Sequence, residues 1–368
     1  MKPALKPTSN SRILVDLPQG AEILIIRLRS LGDVVMLTPA VAALHAWRPD
    51  LRLCVLVEPR FAAVLEGNPA VAEVLLHRDF FTTASALRRR RFPVTFNQHG
   101  GPTSAFLTAA AGSPSRICWA HCRFGFLYNL RIPDAGALDA RKQFHTVEHR
   151  MTQFYWAGLP PTSIPPAQVF PQPDAIDSIE QLLSVNGISP SSQIVIFHPG
   201  AAYFTKRWAL EHFAATAQWL HSQHGLSTVV VLGPNDRELF PEIRRQFPMP
   251  SVVFDSLSLR ELIALISRAR LFLGNDSGPA HLASAAGRPV AVIFGSSDSV
   301  TWRPWQVPHR LIQNEFACNP CRGDRCYAFA EPRCILSVTP NQVRDACLDL
   351  LKETQPLVSV APARDAVN

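Results

Sequence analysis

Short, unbroken runs of apolar residues recur along the first half of the chain, and amphipathic or turn-rich stretches separate them. A run of this kind, bounded by turn residues, is typical of a strand buried on both faces of a parallel sheet. After the first run, Thr38 and Pro39 are residue types that begin helices. The pattern predicts strands at Ile23–Ile26, Leu53–Val57, Glu73–Leu76, Val94–Asn97 and Arg116–Trp119, with helices between several of them.

A second series of the same kind follows residues 160–173, in which six of fourteen positions are proline. Such a stretch, without periodicity, is typical of a semi-rigid linker. The alternation therefore predicts an α/β fold with two Rossmann-like domains, 21–165 and 174–340, whose parallel sheets face a central cleft. Residues 1–20 are predicted to be a polar tail, and residues 341–368 a C-terminal helix and tail. The predicted strands of the second domain are Gln193–Phe197, Thr228–Leu232, Ser251–Phe254, Leu271–Leu273 and Val290–Phe294.

The stretch from Leu273 to Pro289 combines a strand end, a glycine-containing loop and a helix. Pro279 suits the first helical position, and a glycine and a proline close the helix. The free amides of the first helical turn and the positive end of the helix dipole favour a bound phosphate. Asp276 and His281 flank the same spot, within reach of a sugar or nucleotide hydroxyl. A capped corner with a structural aspartate explains the same residues equally well.

Asp33 comes just after the first predicted strand. The carboxyl ends of parallel strands form the rim at which open α/β sheets bind their ligands. A carboxylate there can accept a proton, and it can equally cap a turn. Other predicted strand ends continue into the loops Asn97–Pro102, His198–Trp208 and Gly233–Glu238.

Composition narrows the classes of partner without selecting one. The 368 residues carry a formal net charge of +7, which favours anionic partners such as nucleotide sugars, lipid headgroups or nucleic acid. No apolar run approaches the roughly 20 residues of a membrane span, and residues 1–20 lack the apolar core of a signal peptide, so a cytoplasmic protein is expected. The chain also lacks the glycine motifs of nicotinamide dehydrogenases and P-loop ATPases.

Several motifs in order resemble glycosyltransferase family 9, the lipopolysaccharide heptosyltransferases. The N-terminal signature is Arg-x-x-Ser-Leu-Gly-Asp-Val at 27–34, and the resemblance extends over roughly residues 22–350. It implies the GT-B fold and inverting transfer of heptose from ADP-heptose to the lipid A–core saccharide, in peripheral contact with the inner membrane and without a catalytic metal or other cofactor. The later motifs are Pro199-Gly200-Ala201, Lys206-Arg207-Trp208, Asp276-Ser277-Gly278-Pro279 with His281 and Ala283, Gly287-x-Pro289, and the region from Phe294-Gly295 to Trp302-x-Pro304.

The resemblance assigns the base that takes the acceptor proton to Asp33, and Lys206 is expected to stabilise the departing diphosphate. Arg27 and Arg29 are placed to face an anionic acceptor, although either could instead pair with a carboxylate. His99 is assigned to acceptor binding by its position alone. The residues expected to bind the donor are Thr205, Lys206, Asp236, Glu238, Asp276, Ser277, Gly278 and His281.

Eight cysteines in a cytoplasmic protein are expected to be thiols or metal ligands rather than disulfides. Four of them lie within seventeen residues and are compatible with a structural zinc ion, but also with reduced or redox-active thiols. His145 and His149 share a predicted helix face, yet no further ligands are evident, so this pair is interpreted as structural. The clustered cysteines are Cys318, Cys321, Cys326 and Cys334.

Two alternatives to heptose transfer remain. The first is a related GT-B enzyme that uses another nucleotide sugar or acceptor. The second is a non-catalytic protein that binds an anionic ligand. Nucleic acid is not an expected partner, because the basic stretches lack the interleaved aromatic residues of RNA-binding surfaces.

Overall fold

The computed structural model describes residues 12–134, 143–247 and 251–354. In these ranges the chain forms two sheets of six parallel strands each, so the two-domain α/β architecture predicted from the sequence is confirmed. All ten predicted strands are present. Two further strands lie at sheet edges, one at Leu130–Ile132 and one at His309–Ile312, and their short, partly exposed sequences carry little apolar signal.

The first domain has the strand order 3-2-1-4-5-6, the doubly wound order of dinucleotide-binding folds. Its strands are β1 (Glu22–Ile26), β2 (Arg52–Val57), β3 (Glu73–Leu76), β4 (Val94–Asn97), β5 (Ser115–Trp119) and β6 (Leu130–Ile132). Its helices are α1 (Leu31–Val35), α2 (Thr38–Trp47), α3 (Phe80–Arg90), α4 (Pro102–Ala111) and α5 (Thr146–Trp156), with short 3-10 helices at Pro59–Val64 and Gly125–Leu127.

The second domain repeats this order with its own strands. They are β7 (Ile194–His198), β8 (Ser227–Val231), β9 (Ser251–Phe254), β10 (Leu271–Asn275), β11 (Val290–Ile293) and β12 (His309–Ile312). Its helices are α6 (Pro173–Val185), α7 (Leu210–His224), α8 (Phe240–Gln246), α9 (Leu259–Ser267), α10 (Gly278–Ala285), α11 (Ser299–Trp302), α12 (Arg333–Leu336) and α13 (Pro340–Glu353), with 3-10 helices at Phe204–Lys206 and Arg237–Leu239.

Strand order places the motif-bearing loops at the centre of each sheet. In the first sheet β1 lies between β2 and β4, and in the second β7 lies between β8 and β10. At such a switch point the loops after two neighbouring strands diverge and leave a crevice at the carboxyl edge. The loops after β1 and β4 and those after β7 and β10 therefore line the two crevices that the sequence motifs predicted.

The proline-rich linker has no helix or strand over residues 157–172, and it is held against both domains. The amide of Gln168 donates to the Thr38 hydroxyl of the first domain at 3.1 Å. The indole of Trp305 in the second domain donates to the Pro165 carbonyl at 2.9 Å. An ion pair of 2.5 Å between Arg260 and Glu66 adds a direct contact between the domains.

Residues 12–20, which were predicted to belong to a polar tail, are packed against the first domain in the structure. Leu14 is fully buried, and its amide donates to the Ala157 carbonyl at 2.9 Å. The Arg48 guanidinium donates to the Leu14 carbonyl at 2.7 Å, so residues 12–20 pack onto the first domain. At the other end, α13 packs against β11 and β12 and so belongs to the second domain. The predicted tail residues 1–11 and 355–368 lie outside the described residues.

The expectation that the cysteines are thiols or metal ligands is wrong for one pair. Cys118 at the end of β5 and Cys122 in the following turn form a disulfide, with their Cα atoms 6.5 Å apart. The turn brings the chain back over the strand end and so makes this short pairing possible. The other six cysteines form no disulfide. No helix in the described parts of the chain has both the length and the apolar character to cross a bilayer.

Candidate active site

Asp33 lies in the first turn of α1, directly beyond β1, and two arginines hold its carboxylate. Its Oδ1 accepts from Arg150 at 2.5 Å, and its Oδ2 forms an ion pair with Arg27. The Ser30 hydroxyl donates to Oδ2 at 2.9 Å. Burial by itself raises the pKa of Asp33, but Arg150, Arg27 and the hydrogen bonds from Ser30 outweigh it and hold this pKa at about 2. The carboxylate is therefore ionised throughout the neutral range.

Arg27 pairs with a carboxylate, the second of the two kinds of partner that the sequence analysis left open for it. It is buried, and its guanidinium donates to the Gln98 carbonyl at 2.6 Å as well as pairing with Asp33. Arg150 donates to the same carbonyl at 3.1 Å. Both guanidiniums thus contact the Gln98 carbonyl as well as the Asp33 carboxylate. Arg27 and Arg150 therefore fix the orientation of Asp33. Neither Arg150 nor Gln98 was identified from the sequence.

Arg29 and His99 lie at the open side of this cluster. The Arg29 side chain is 62% exposed, and its Nε is 4.0 Å from Glu58, so it remains available to an anionic acceptor. His99 follows β4, and burial together with Arg27 and Arg29 lowers its pKa to about 4. Its buried Nδ1 has no hydrogen-bond partner within the described residues. The imidazole is therefore neutral near pH 7. The acceptor contact predicted for His99 stays a prediction.

The loop after β7 and the loop after β10 meet in the second domain. Lys206 Nζ is 2.8 Å from Asp276 Oδ2, and this carboxylate is buried. Ser277 precedes the N-terminal end of α10, and its hydroxyl is 3.1 Å from His198 Nδ1. A lysine and a helix N-terminus at one crevice together supply positive potential for a diphosphate.

The two crevices face each other across the domain boundary. A Cβ atom on Gly32 would lie 2.5 Å from the His281 ring, and one on Gly278 would lie 2.9 Å from Leu31. Helices α1 and α10 thus approach so closely that a side chain added at either position would displace its neighbour. Burial lowers the pKa of His281, whereas Asp276 and Asp33 act in the opposite direction. The His281 ring is therefore within electrostatic reach of one carboxylate from each domain.

Three residues predicted to bind the donor have other partners in the structure. Thr205 is buried, and its hydroxyl donates to the Gly323 carbonyl and lies 3.1 Å from Ser296. Its predicted contact with the donor would have to replace these partners, and it stays a prediction. Asp236 is buried and lies 3.6 Å from His198 Nε2, and Glu238 pairs with Arg207 at 2.9 Å. The ribose contacts predicted for Asp236 and Glu238 would have to replace or share these partners, and they stay predictions.

The four clustered cysteines line one small cavity of about 20 Å³ together with Thr205 and Ser296. The loop is anchored there by the Cys321 amide, which donates to the Ser296 carbonyl at 2.9 Å. Four thiols around one cavity have the chemistry of a site for a thiophilic metal ion. Among the described residues, however, no three of their sulfur atoms are gathered within 4.8 Å. A structural zinc ion and free thiols both stay open as predictions for Cys318, Cys321, Cys326 and Cys334.

The close approach of α1 and α10 predicts the effect of Gly32→Ala. The added methyl group overlaps the buried His281 ring, so we expect a loss of about 1–3 kcal/mol in the free energy of unfolding. Urea titration measures this loss. The control is the double variant Gly32→Ala/His281→Ala, which lacks the His281 ring. Adding the methyl group to His281→Ala should lower the free energy of unfolding by less than adding it to the wild type. An unchanged free energy of unfolding in Gly32→Ala would show that the helices do not pack this closely in solution.

The ion pairs of Asp33 predict a pH dependence of stability. The pKa of about 2 in the folded state lies below the value of about 4 in the unfolded chain. The charged form therefore stabilises the fold fully above about pH 4, by about 2 kcal/mol, and this stabilisation is lost as the pH falls towards 2. Urea titrations should show that Asp33→Asn is less stable than the wild type at neutral pH and that the deficit shrinks near pH 3. A deficit independent of pH would contradict the ion pairing.

Comparison with known proteins gives a consistent result. The chain matches the model of glycosyltransferase family 9 (heptosyltransferase) over residues 81–329, which is more than half of its length. It is 25% identical over 302 residues to lipopolysaccharide heptosyltransferase 3 of Escherichia coli, covering 77% of this chain and 85% of that protein.

Solved structures match over nearly the whole chain. A family 9 glycosyltransferase from Veillonella parvula has a TM-score of 0.80 at 21% identity, covering 92% of this chain and 99% of that one. ADP-heptose lipopolysaccharide heptosyltransferase II of E. coli has a TM-score of 0.76 at 22% identity, covering 90% and 99%. These matches confirm the predicted GT-B fold.

Proposed function

The chain belongs to glycosyltransferase family 9, the heptosyltransferase family, and from this premise we propose that it transfers heptose from ADP-heptose to the inner core of lipopolysaccharide. One observation carries the proposal. An ionised aspartate of the first domain, Asp33, faces a crevice of the second domain that holds Lys206, Asp276 and the start of α10. An acceptor on one side and a nucleotide sugar on the other would meet between them.

The proposed transfer is a single displacement with inversion at the anomeric carbon. The acceptor oxygen bonds to that carbon from the face opposite the diphosphate, the bond from carbon to the diphosphate oxygen breaks, and the hydroxyl proton passes to Asp33. A pKa of about 2 makes Asp33 a weak base towards a free alcohol. The oxygen becomes far more acidic as it bonds to carbon, so the carboxylate can take the proton late in the step.

The departing ADP gains negative charge, and the second domain provides the groups that stabilise it. Lys206 is already oriented by Asp276 at 2.8 Å, so little reorganisation is needed to bring its ammonium group to the diphosphate. The N-terminal end of α10 adds backbone amides and the helix dipole. Asp276 and His281 lie beside Lys206 and are suited to the sugar hydroxyls. The proposed chemistry uses no metal ion.

A transfer assay with several donors tests the proposal. The purified protein is incubated with a heptose-deficient core acceptor and, in parallel, with ADP-heptose, ADP-glucose or UDP-glucose. Transfer from ADP-heptose, with an inverted anomeric configuration in the NMR spectrum of the product, is the expected result. Transfer only from another nucleotide sugar would instead support a related GT-B transferase. Binding without turnover, falling steeply with salt, would support a non-catalytic anionic-ligand-binding protein.

We place this reaction at the cytoplasmic face of the inner membrane, in peripheral contact with the lipid. The net charge of +7 favours an anionic surface. Phe81 and Phe126 of the first domain, the proposed acceptor side, are 83% and 80% exposed. In proteins that bind a membrane surface, aromatic side chains on the contact face are buried at the boundary of headgroups and acyl chains.

Phe81→Ser/Phe126→Ser is therefore expected to lower the fraction of protein that floats with vesicles containing anionic lipid, because both changes remove apolar surface from the proposed contact. The matched control is Val185→Ser, which changes a 74% exposed apolar residue of the second domain. Its flotation should equal that of the wild type. Equal flotation of the double variant and the wild type would contradict membrane contact through this surface.

A further inference from the structure

Three potential metal ligands lie together at the carboxyl edge of the first sheet, outside the crevice described above. They are His121 after β5, Asp134 after β6 and His149 on α5. One ligand atom of each lies within 4.8 Å of the others. The His121 and Asp134 side chains are 56% and 49% exposed, so an ion from solvent can reach them.

The fold explains why these residues meet although they are distant in sequence. Strands β5 and β6 pair in parallel with Trp119 opposite Ile132, so His121 and Asp134 each lie two residues beyond a paired position. Their side chains are hydrogen-bonded to each other through His121 Nδ1. The ring of His149 stacks on Trp119 at 4.5 Å, and the Trp119 indole donates to Thr152 one turn further along α5. The orientation of His149 is therefore fixed by packing.

The helical pair noted in the sequence does not form a ligand pair. His145 Nδ1 accepts from the Val147 amide at 3.1 Å, and its Nε2 lies 2.8 Å from the Arg303 carbonyl, so both ring nitrogens are in use. The partners of His149 are instead His121 and Asp134, and no sequence motif links these two residues to α5.

A second group in the described residues has similar ligand spacing but already holds a cation. It consists of Glu22, Cys54 and Glu73. The Arg90 guanidinium lies 2.7 Å from Glu22 and 2.6 Å from Glu73. No guanidinium or ammonium group forms an ion pair with Asp134 among the described residues; its ion-pair partner there is His121.

We propose that His121, Asp134 and His149 bind one divalent transition-metal ion such as Zn²⁺. Two imidazoles and one carboxylate are a common donor set for this class of ion and leave at least one coordination position to water. The ion ties the ends of β5 and β6 to α5, the helix that carries Arg150 next to His149. The site does not depend on the proposed function.

Metal titration of the full chain without a polyhistidine tag tests the site. After removal of metal with EDTA, Zn²⁺ binding is followed by calorimetry and Co²⁺ binding by visible absorption. His121→Ala and Asp134→Asn change exposed side chains, so both variants should fold. Each is expected to weaken binding by at least about tenfold. The matched control His224→Ala, an exposed histidine on α7, should bind as the wild type does.

The cobalt spectrum separates this site from the cysteine cluster. Thiolate ligands give intense charge-transfer bands, whereas histidine and carboxylate ligands give only weak ligand-field bands. The expected result is one ion with weak bands that are lost in His121→Ala, together with a zinc-dependent rise in melting temperature that is lost in the same variant. Unchanged affinity in both variants, or bands from thiolate ligands alone, would overturn the proposal.

Discussion

Replacing Asp33 with asparagine is expected to lower kcat for heptose transfer by a factor of about 100 to 10,000, the usual contribution of a positioned general base. The substitution keeps the shape of the side chain but removes the group that accepts the acceptor proton. The KM for ADP-heptose should change little, because Asp33 belongs to the first domain and the donor to the second. Steady-state kinetics with a core acceptor measure both quantities.

Two controls separate this effect from a loss of structure. Asp345→Asn makes the same change at an exposed position of α13 and should leave kcat unchanged. Arg27 and Arg150 lose their shared counter-ion in Asp33→Asn, so its folded fraction is measured by circular dichroism at the assay temperature. A folded Asp33→Asn variant with the kcat of the wild type would remove Asp33 from the reaction.

Replacing Lys206 with alanine is expected to lower kcat by a factor of about 100 to 1,000, the cost of removing one preorganised donor from a developing anion. Affinity for ADP should fall as well, because the ammonium group is proposed to bind the diphosphate, which keeps its negative charge in the product ADP. This pattern differs from that of Asp33→Asn, in which ADP affinity is retained. Calorimetric titration with ADP distinguishes the two variants directly.

The pair of Lys206 with Asp276 makes a stability control necessary. Asp276 is buried, so Lys206→Ala leaves a carboxylate without its cation and should also lower the free energy of unfolding. Lys352→Ala, at an exposed position near the end of α13, is the matched control and should alter neither quantity. Full ADP affinity in Lys206→Ala would show that the diphosphate binds elsewhere.

The features of the fold that were predicted correctly from the sequence are those set by local pattern. Continuous apolar runs such as Ile23–Ile26 are fully buried strands, because a parallel sheet covered on both faces needs apolar residues at every position. Loops that follow such runs lie at the rim of the sheet. The sequence pattern therefore predicted that Asp33, Lys206 and Asp276 lie at the crevices. The two crevices face each other because of the way in which the domains pack. The series of sequence motifs indicated this packing only through the resemblance to a known family.

The features that were missed depend on long-range contacts. Arg150 contacts Asp33 across 117 positions of the chain, and no motif links a helix residue of this kind to the first strand. Arg27 and Thr205 lie in the expected loops, but the direction of each side chain is set by a partner distant in sequence, the carbonyls of Gln98 and Gly323 respectively. Sequence position alone therefore identified the crevice and not the hydrogen bonds inside it.

A crystal structure of the protein with ADP-heptose shows directly whether the donor lies between the two domains as proposed. We expect the diphosphate to contact Lys206 and the N-terminal end of α10, and the anomeric carbon to be turned towards Asp33 across the domain boundary. A diphosphate bound away from Lys206, or a heptose whose anomeric carbon points away from the first domain, would contradict this expectation.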